Sequence, residues 1–155
     1  MLTCHPCSII PPSLQGGAHA DHIGGLYSQC ITADGSNVML NGYPVYGKHM
    51  THHFDGTPDR WDRKTPQRCG LFNGRWSRIF WNAGWGWGVQ TDGISPSGMH
   101  HRYSTCNGYG KDKDGNDCET GDGKDGKANK IGQFDMIRSG HAKGPHPKTT
   151  CVEFL

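Results

Sequence analysis

Aliphatic side chains are scarce in this chain. Leu, Ile, Val and Phe together number 23 of 155 residues, about 15 %, where folded domains usually exceed roughly 20 %. That scarcity excludes a large oily core. Long apolar runs are missing as well: nothing approaches the ~20 residues a membrane helix needs, so no span is expected. No stretch sustains a helical period, and no helix longer than two turns is predicted. An excess of one charge is also absent, with 16 Lys and Arg against 14 Asp and Glu. Without a basic stripe there is no electrostatic footprint for nucleic acid. The opening MLTCHPCSII lacks the basic and apolar regions of a secretory leader, and the expectation is of a chain from which one has been removed.

Catalytic signatures are equally sparse. There is no Gly-x-Ser-x-Gly elbow, no Gly-x-Gly-x-x-Gly opening a helix, and no His-Glu-x-x-His. The paired carboxylates Asp59 and Asp62 lie in a charged loop with no burial to raise a pKa. CHPC (Cys4–Cys7) has redox spacing, but a thioredoxin-like site needs a helix after it. SIIPP follows instead, so these read as structural cysteines.

What the chain has is glycine, aromatic rings and cysteine. It carries 24 Gly and 9 Pro, five each of Trp, Tyr and Phe, and seven Cys. Disorder requires high net charge and few aromatics, and neither holds. The predicted state is folded, with a thin aromatic core whose rings each bury on the order of 150–250 Å². Cys4, Cys7, Cys30, Cys69, Cys106, Cys118 and Cys151 are disulfide candidates, and each long-range bridge would add roughly 2–4 kcal/mol. Wide spacing with abundant Gly and Pro fits a secreted scaffold. Seven is odd, leaving one thiol free, metal-bound or paired between chains.

The fold class predicted is all-β: a small antiparallel, disulfide-stapled module with long irregular loops. Residues 1–22 read as an extended N-terminal arm. Residues 23–92 read as the antiparallel module, with Asp34-Gly35, Asn41-Gly42 and Asn73-Gly74 as tight turns and Pro44 at an edge or strand start. In WGWGV, Trp85, Trp87 and Val89 share one face, and the glycine face invites close approach of a strand or ligand. Residues 93–155 read as a loop-rich, disulfide-pinned part packed on the same domain, with 131–138 the one candidate late strand or helical turn.

Gly25–Tyr27, Asn41-Gly42-Tyr43-Pro44-Val45-Tyr46 and Leu71-Phe72-Asn73-Gly74-Arg75-Trp76, followed by the Trp/Gly run to Val89, form an ordered set. Over about residues 14–92 it resembles small modules, often tandem, in extracellular proteins of marine invertebrates and algae. The resemblance implies an antiparallel β-module outside the cell. The long insertion HMTHHFDGTPDRWDRKTPQR, the single unit and the Asp/Gly-rich second half depart from that pattern.

Three groups could carry chemistry. In KDKDGNDCETGDGKDG, Asp112, Asp114, Asn116, Asp117 and Asp122 offer oxygens at near-alternate positions, as a Ca²⁺ loop does. Interleaved lysines oppose a cation there, and the EF-hand template fails because Asp117 replaces its glycine. Ten histidines, among them HADH, His52-His53 and His100-His101, could supply transition-metal ligands, yet adjacent histidines on a strand face opposite ways. Among the aromatics, Tyr27, Tyr46, Phe72, Trp76 and Phe80 are expected inside. Trp61, Trp85 and Trp87 are expected partly exposed, and these with Tyr103 are the candidate binding residues. The function expected is a secreted structural or interaction protein of a matrix, adhesive or fibre, partnered by copies of itself or by matrix proteins. Alternatives are a carbohydrate-binding module, Ca²⁺-dependent or not, and a small metal-dependent hydrolase.

Overall fold

The aromatic run from Trp76 to Thr91 folds back on itself and organises the rest of the chain. In the computed structural model, residues 12–18, 20–31, 34–49, 76–91, 101–118, 131, 133–140 and 144–151 are described. They form strands β1 (Pro12–Gln15), β2 (Gly25–Leu26), β3 (Ser28–Gln29), β4 (Met39–Leu40), β5 (Tyr43–Pro44) and β6 (Tyr46–His49), then β7 (Trp76–Asn82), β8 (Gly86–Thr91), β9 (His101–Ser104), β10 (Met136–Gly140) and β11 (Lys148–Cys151). A single helical turn, α1 (Ala20–Ile23), lies between β1 and β2.

The strands make three antiparallel sheets: a six-stranded one in the order β10-β9-β8-β7-β6-β3, a three-stranded one in the order β11-β1-β2, and the β4–β5 ribbon. Side chains alternate across a strand, and register lines them up across neighbours. Ile79, Val89 and Tyr103 stand in one cross-strand row, while Arg78, Gln90 and Arg102 stand in the next. The first row is core. With Tyr46, Trp81 and Trp87 it meets Leu14 of β1, Ile23 of α1, Tyr27, Ile131 and Phe134. A second cluster joins Cys30 and Val45 to the half-buried Val38 and Phe80. The rings dominate: Trp87, Tyr27, Tyr103 and Phe134 are the four largest fully buried side chains. Each contributes about 4–6 kcal/mol of gross transfer free energy, which is how a chain with few aliphatics closes a core.

The all-β class and antiparallel pairing agree with the sequence reading. So do the tight turn at Asn41-Gly42 and Pro44 in a two-stranded ribbon, where a missing donor costs no ladder bond. Three features differ from it. Residues 12–15 of the expected arm form the middle strand of a sheet, with Leu14 1 % exposed. Trp87 is 1 % exposed rather than partly exposed, because β8 is an interior strand packed on both neighbours and on the core. The loop-rich last third supplies β9 and β10, which extend the main sheet beyond β8, and β11, which pairs with β1. Phe72 and the Asn73-Gly74 turn lie outside the described residues, as does the Trp76 side chain.

Candidate interaction surface

Two loops converge on the turn that joins β7 to β8. The first is the β4–β5 hairpin. Its central residues Asn41 (φ 54°) and Gly42 (φ 83°) both take positive φ, as the two-residue turn matching strand twist requires. The Asn41 side-chain nitrogen Nδ2 donates to the Trp81 carbonyl at 2.9 Å and to Asn82 Oδ1 at 2.8 Å. Beneath it the Tyr43 ring packs on Trp81 at 5.0 Å between centroids and edge-on to Trp87 at 5.8 Å. The hairpin therefore rests on the aromatic layer and is clipped to the end of β7 by one amide.

The second loop is 105–118. Its backbone runs alongside the end of β8: Thr105 N–H donates to the Trp87 carbonyl at 2.9 Å and Cys106 N–H to the Trp85 carbonyl at 3.0 Å. Gly108 and Gly110 N–H both donate to the Gly84 carbonyl, at 3.0 and 2.9 Å. The glycines of AGWGWG make this approach possible. A Cβ on Gly84 would lie 2.4 Å from the Gly108 oxygen, and one on Gly86 2.3 Å from Thr105 Oγ1, both at positive φ. The bare glycine face thus receives another segment of this same chain. Cys106 and Cys118 close the loop as a disulfide across 6.0 Å between Cα atoms. Cys30 is disulfide-bonded too.

On the two loops beside this turn, apolar side chains are exposed among polar ones such as Asn41 and Lys111. Met39 is 54 % exposed, Leu40 38 % and Tyr109 87 %, with Ala83 exposed between them. Trp85 is half-buried, its ring against Gly108, one residue from Tyr109. Met39 and Leu40 are consecutive on β4 and so face opposite sides of the ribbon; Leu26 and Ile137 are the other exposed large hydrophobics among the described residues, and Tyr109 is the most exposed of the five.

Of the four aromatic candidates from sequence, Trp85 alone is described at this surface. Trp87 and Tyr103 are core residues, Tyr103 0 % exposed with its ring edge-on to His146 at 5.6 Å. Trp61 lies outside the described residues. Met39, Leu40 and Tyr109 were not singled out, though the Asn-Gly turn beside Met-Leu and the tyrosine between two glycines were visible signals.

In the described part of the acidic loop, Asp112 and Asp117 use their oxygens internally. Asp112 Oδ1 accepts the backbone N–H of Asp114 and of Asn116, each at 2.9 Å, a side-chain turn typical of Asp. Lys111 pairs with Asp117 across the β-bridge that joins them. Asp114 and Asn116 are exposed, while Asp122, Cys4, Cys7 and Cys69 lie outside the described residues, and of Cys151 only the backbone in β11 is described. Among the described residues no three His, Cys, Asp or Glu side chains are grouped as a metal would need.

A buried hydroxyl set was also missed. The Tyr27 hydroxyl donates to the Ile23 carbonyl at 2.6 Å and lies 2.7 Å from Ser77 Oγ. Burial raises its pKa well above the ordinary phenol value, against a lowering effect of the Ser77 bond. Lys48, half-buried and opposite Ser77, has its pKa lowered by desolvation. Tyr27 and Ser77 are both 0 % exposed, so no substrate reaches this set and it serves to tie α1 to β7.

Among the described residues no helix is long and apolar enough to cross a membrane. No family model, no curated protein and no solved structure matches this chain.

Proposed function

We propose that this protein is a secreted structural or interaction module, which joins an extracellular assembly through the end of the sheet where the two loops meet. One observation carries the reading: Met39, Leu40 and Tyr109 stand in solvent around a single turn whose backbone is fixed from both sides. Large apolar side chains on a rigid base bind at low entropic cost, and tyrosine is favoured in such contacts. The Cys106–Cys118 disulfide belongs to an oxidising compartment, and the resemblance over residues 14–92 to modules of extracellular proteins agrees with it. The partners proposed are further copies of the chain and matrix proteins.

Sedimentation velocity over a wide concentration range tests this, alongside the double variant Leu40→Lys with Tyr109→Lys. Association of the native protein that the double variant abolishes supports the reading. A native protein that stays monomeric at the highest concentration, and captures no matrix protein from its own extracellular material, overturns it.

A second reading, recognition of a glycan, rests on the exposed Tyr109 beside the half-buried Trp85 ring. A glycan array probed with the native protein separates the two, since a sugar hit lost in Tyr109→Ala favours this reading and a blank array removes it. Among the described residues of the acidic loop, Asp112 and Asp117 have partners in the chain, and no group of His, Cys, Asp or Glu that could hold Ca²⁺ is found there.

A further inference from the structure

The Asn41 amide that clips the hairpin sits next to the residue type that expels it most readily, since glycine has no Cβ to hinder its nitrogen. Asn41 and Gly42 are exposed, and the space around the position of a Gly42 Cβ is open to 4 Å. Among the described residues the Gly42 amide has no hydrogen-bond acceptor. We propose that Asn41 is a site of spontaneous deamidation, and that the reaction irreversibly unclips the tip of the β4–β5 hairpin from β7. This inference does not depend on what the hairpin binds.

The chemistry needs only water. The Gly42 nitrogen, its proton taken by solvent base, attacks Asn41 Cγ. A C–N bond forms and the Cγ–Nδ2 bond breaks, Nδ2 leaving as ammonia. The resulting five-membered imide is opened by water at either carbonyl, giving aspartate or isoaspartate. Nδ2 is both the leaving group and the donor of both clip bonds, so its loss frees the turn from β7 and leaves the hairpin held by Tyr43 and by the bonds of Val38 and Val45 to Cys30. In the aspartate product a carboxylate oxygen faces the Trp81 carbonyl and Asn82 Oδ1, acceptor against acceptor. Isoaspartate also inserts a methylene into the backbone of a turn that fits only two residues. The hairpin has just two residue pairs and cannot absorb either change.

The two hydrogen bonds set the pace. While Nδ2 is held, the side chain cannot rotate towards Gly42, so the reaction proceeds from moments when the clip is open. A second Asn-Gly pair supplies an internal reference. At Asn107-Gly108 the glycine amide is bound to the Gly84 carbonyl, and Asn107 Oδ1 accepts the Tyr109 N–H at 2.8 Å. The Trp85 ring stands 3.0 Å from where a Gly108 Cβ would be. Both the nucleophile and the side chain are occupied there.

Native protein is incubated at mildly alkaline pH and sampled over time by peptide mapping, with isoaspartate read by enzymatic methylation. In the folded protein Asn41 is expected to convert at least several-fold faster than Asn107, whereas in denaturant the two converge. Asn82→Ala, which removes one acceptor, is expected to speed Asn41 and leave Asn107 unchanged. Asn41→Asp is expected to raise amide exchange across 38–45 while 105–118 stays protected. Asn41→Gly, which keeps the turn and deletes the amide, should raise exchange in the same segment. Equal folded-state rates at the two asparagines, no response to Asn82→Ala, or unchanged exchange in both Asn41 variants would each overturn the proposal.

Discussion

The hairpin at 38–45 and the loop at 105–118 lean on the same turn and are built from the same residue types, yet they are held by different means. The 105–118 loop has backbone hydrogen bonds to Gly84, Trp85 and Trp87 and a disulfide across its base. The base of the hairpin is bonded to Cys30 through the Val38 N–H and the Val45 carbonyl, but its tip has one side-chain amide and one half-buried tyrosine ring. Backbone bonds to a strand fix every residue they touch, while an amide clip fixes one point. The difference teaches that attachment in this fold is graded, and that the two halves of the apolar rim differ in how easily they move.

Trp87 supports the hairpin through its ring contact with Tyr43 and the 105–118 loop through its backbone bond to Thr105, so the largest expected effect removes its side chain. Trp87→Ala should cost about 3–5 kcal/mol, the usual range for a fully buried aromatic, and should loosen both loops together. The check is denaturant unfolding with amide exchange at 38–45 and 105–118. A cost below about 1 kcal/mol would mean that the indole is not a common base.

Next in size is the covalent tie. Cys106→Ser with Cys118→Ser should cost about 3 kcal/mol, as expected for a closed loop of this length. Exchange should rise at 105–118 and stay unchanged at 38–45. If the hairpin opened equally, the two loops would be one cooperative unit and the contrast between them would fail.

Tyr27 lies away from both loops and tests the body that carries them. Tyr27→Phe deletes bonds to Ile23 and Ser77 and should cost about 1–2 kcal/mol near neutral pH. The phenol's pKa is higher folded than unfolded, so its contribution is full below the ordinary value near 10 and is lost as pH rises above it. Native protein should therefore lose stability in alkali, and the variant should lose less over the same range. An unchanged alkaline limb would show that another group governs it.

How much of this was readable in the residues follows from the range of the signals. Asn41-Gly42 gave its hairpin because the turn geometry is local. The glycines of WGWGV gave a close approach, but not what approaches, since Thr105 and Gly108 are distant in sequence. Alternation put Trp85 and Trp87 on one face; the strand instead begins at Gly86, leaving Trp85 in the turn and Trp87 in the core. β9, His101–Ser104, has Tyr103 as its one large apolar residue and is a strand because β8 and β10 pair with it, which no local pattern encodes. The aspartates were read for calcium by spacing, although Asp-x-Asp-Gly is equally the pattern of a side-chain-capped turn, and that is the use the fold makes of Asp112. Of the apolar rim, Trp85 alone was anticipated, because exposure of Met39, Leu40 and Tyr109 depends on what the rest of the chain leaves uncovered.

The smallest effect sharpens the contrast most. In the disulfide-closed loop the Lys111 and Asp117 side chains are 46 % and 66 % exposed, and such pairs contribute roughly 0–1 kcal/mol. Their ends are already joined by the backbone bonds of Asn107, Asp112 and Cys118. Lys111→Ala should thus change stability by less than about 0.5 kcal/mol and leave exchange at 105–118 unaltered. Asn82→Ala, which removes a polar contact of similar size from the hairpin, should cost about 1 kcal/mol and visibly raise exchange at 38–45. The same kind of bond is redundant in one loop and structural at the tip of the other, because that tip has so little else. If Lys111→Ala proved the more costly of the two, the disulfide would not be what holds its loop, and the ranking of the attachments would have to be reversed.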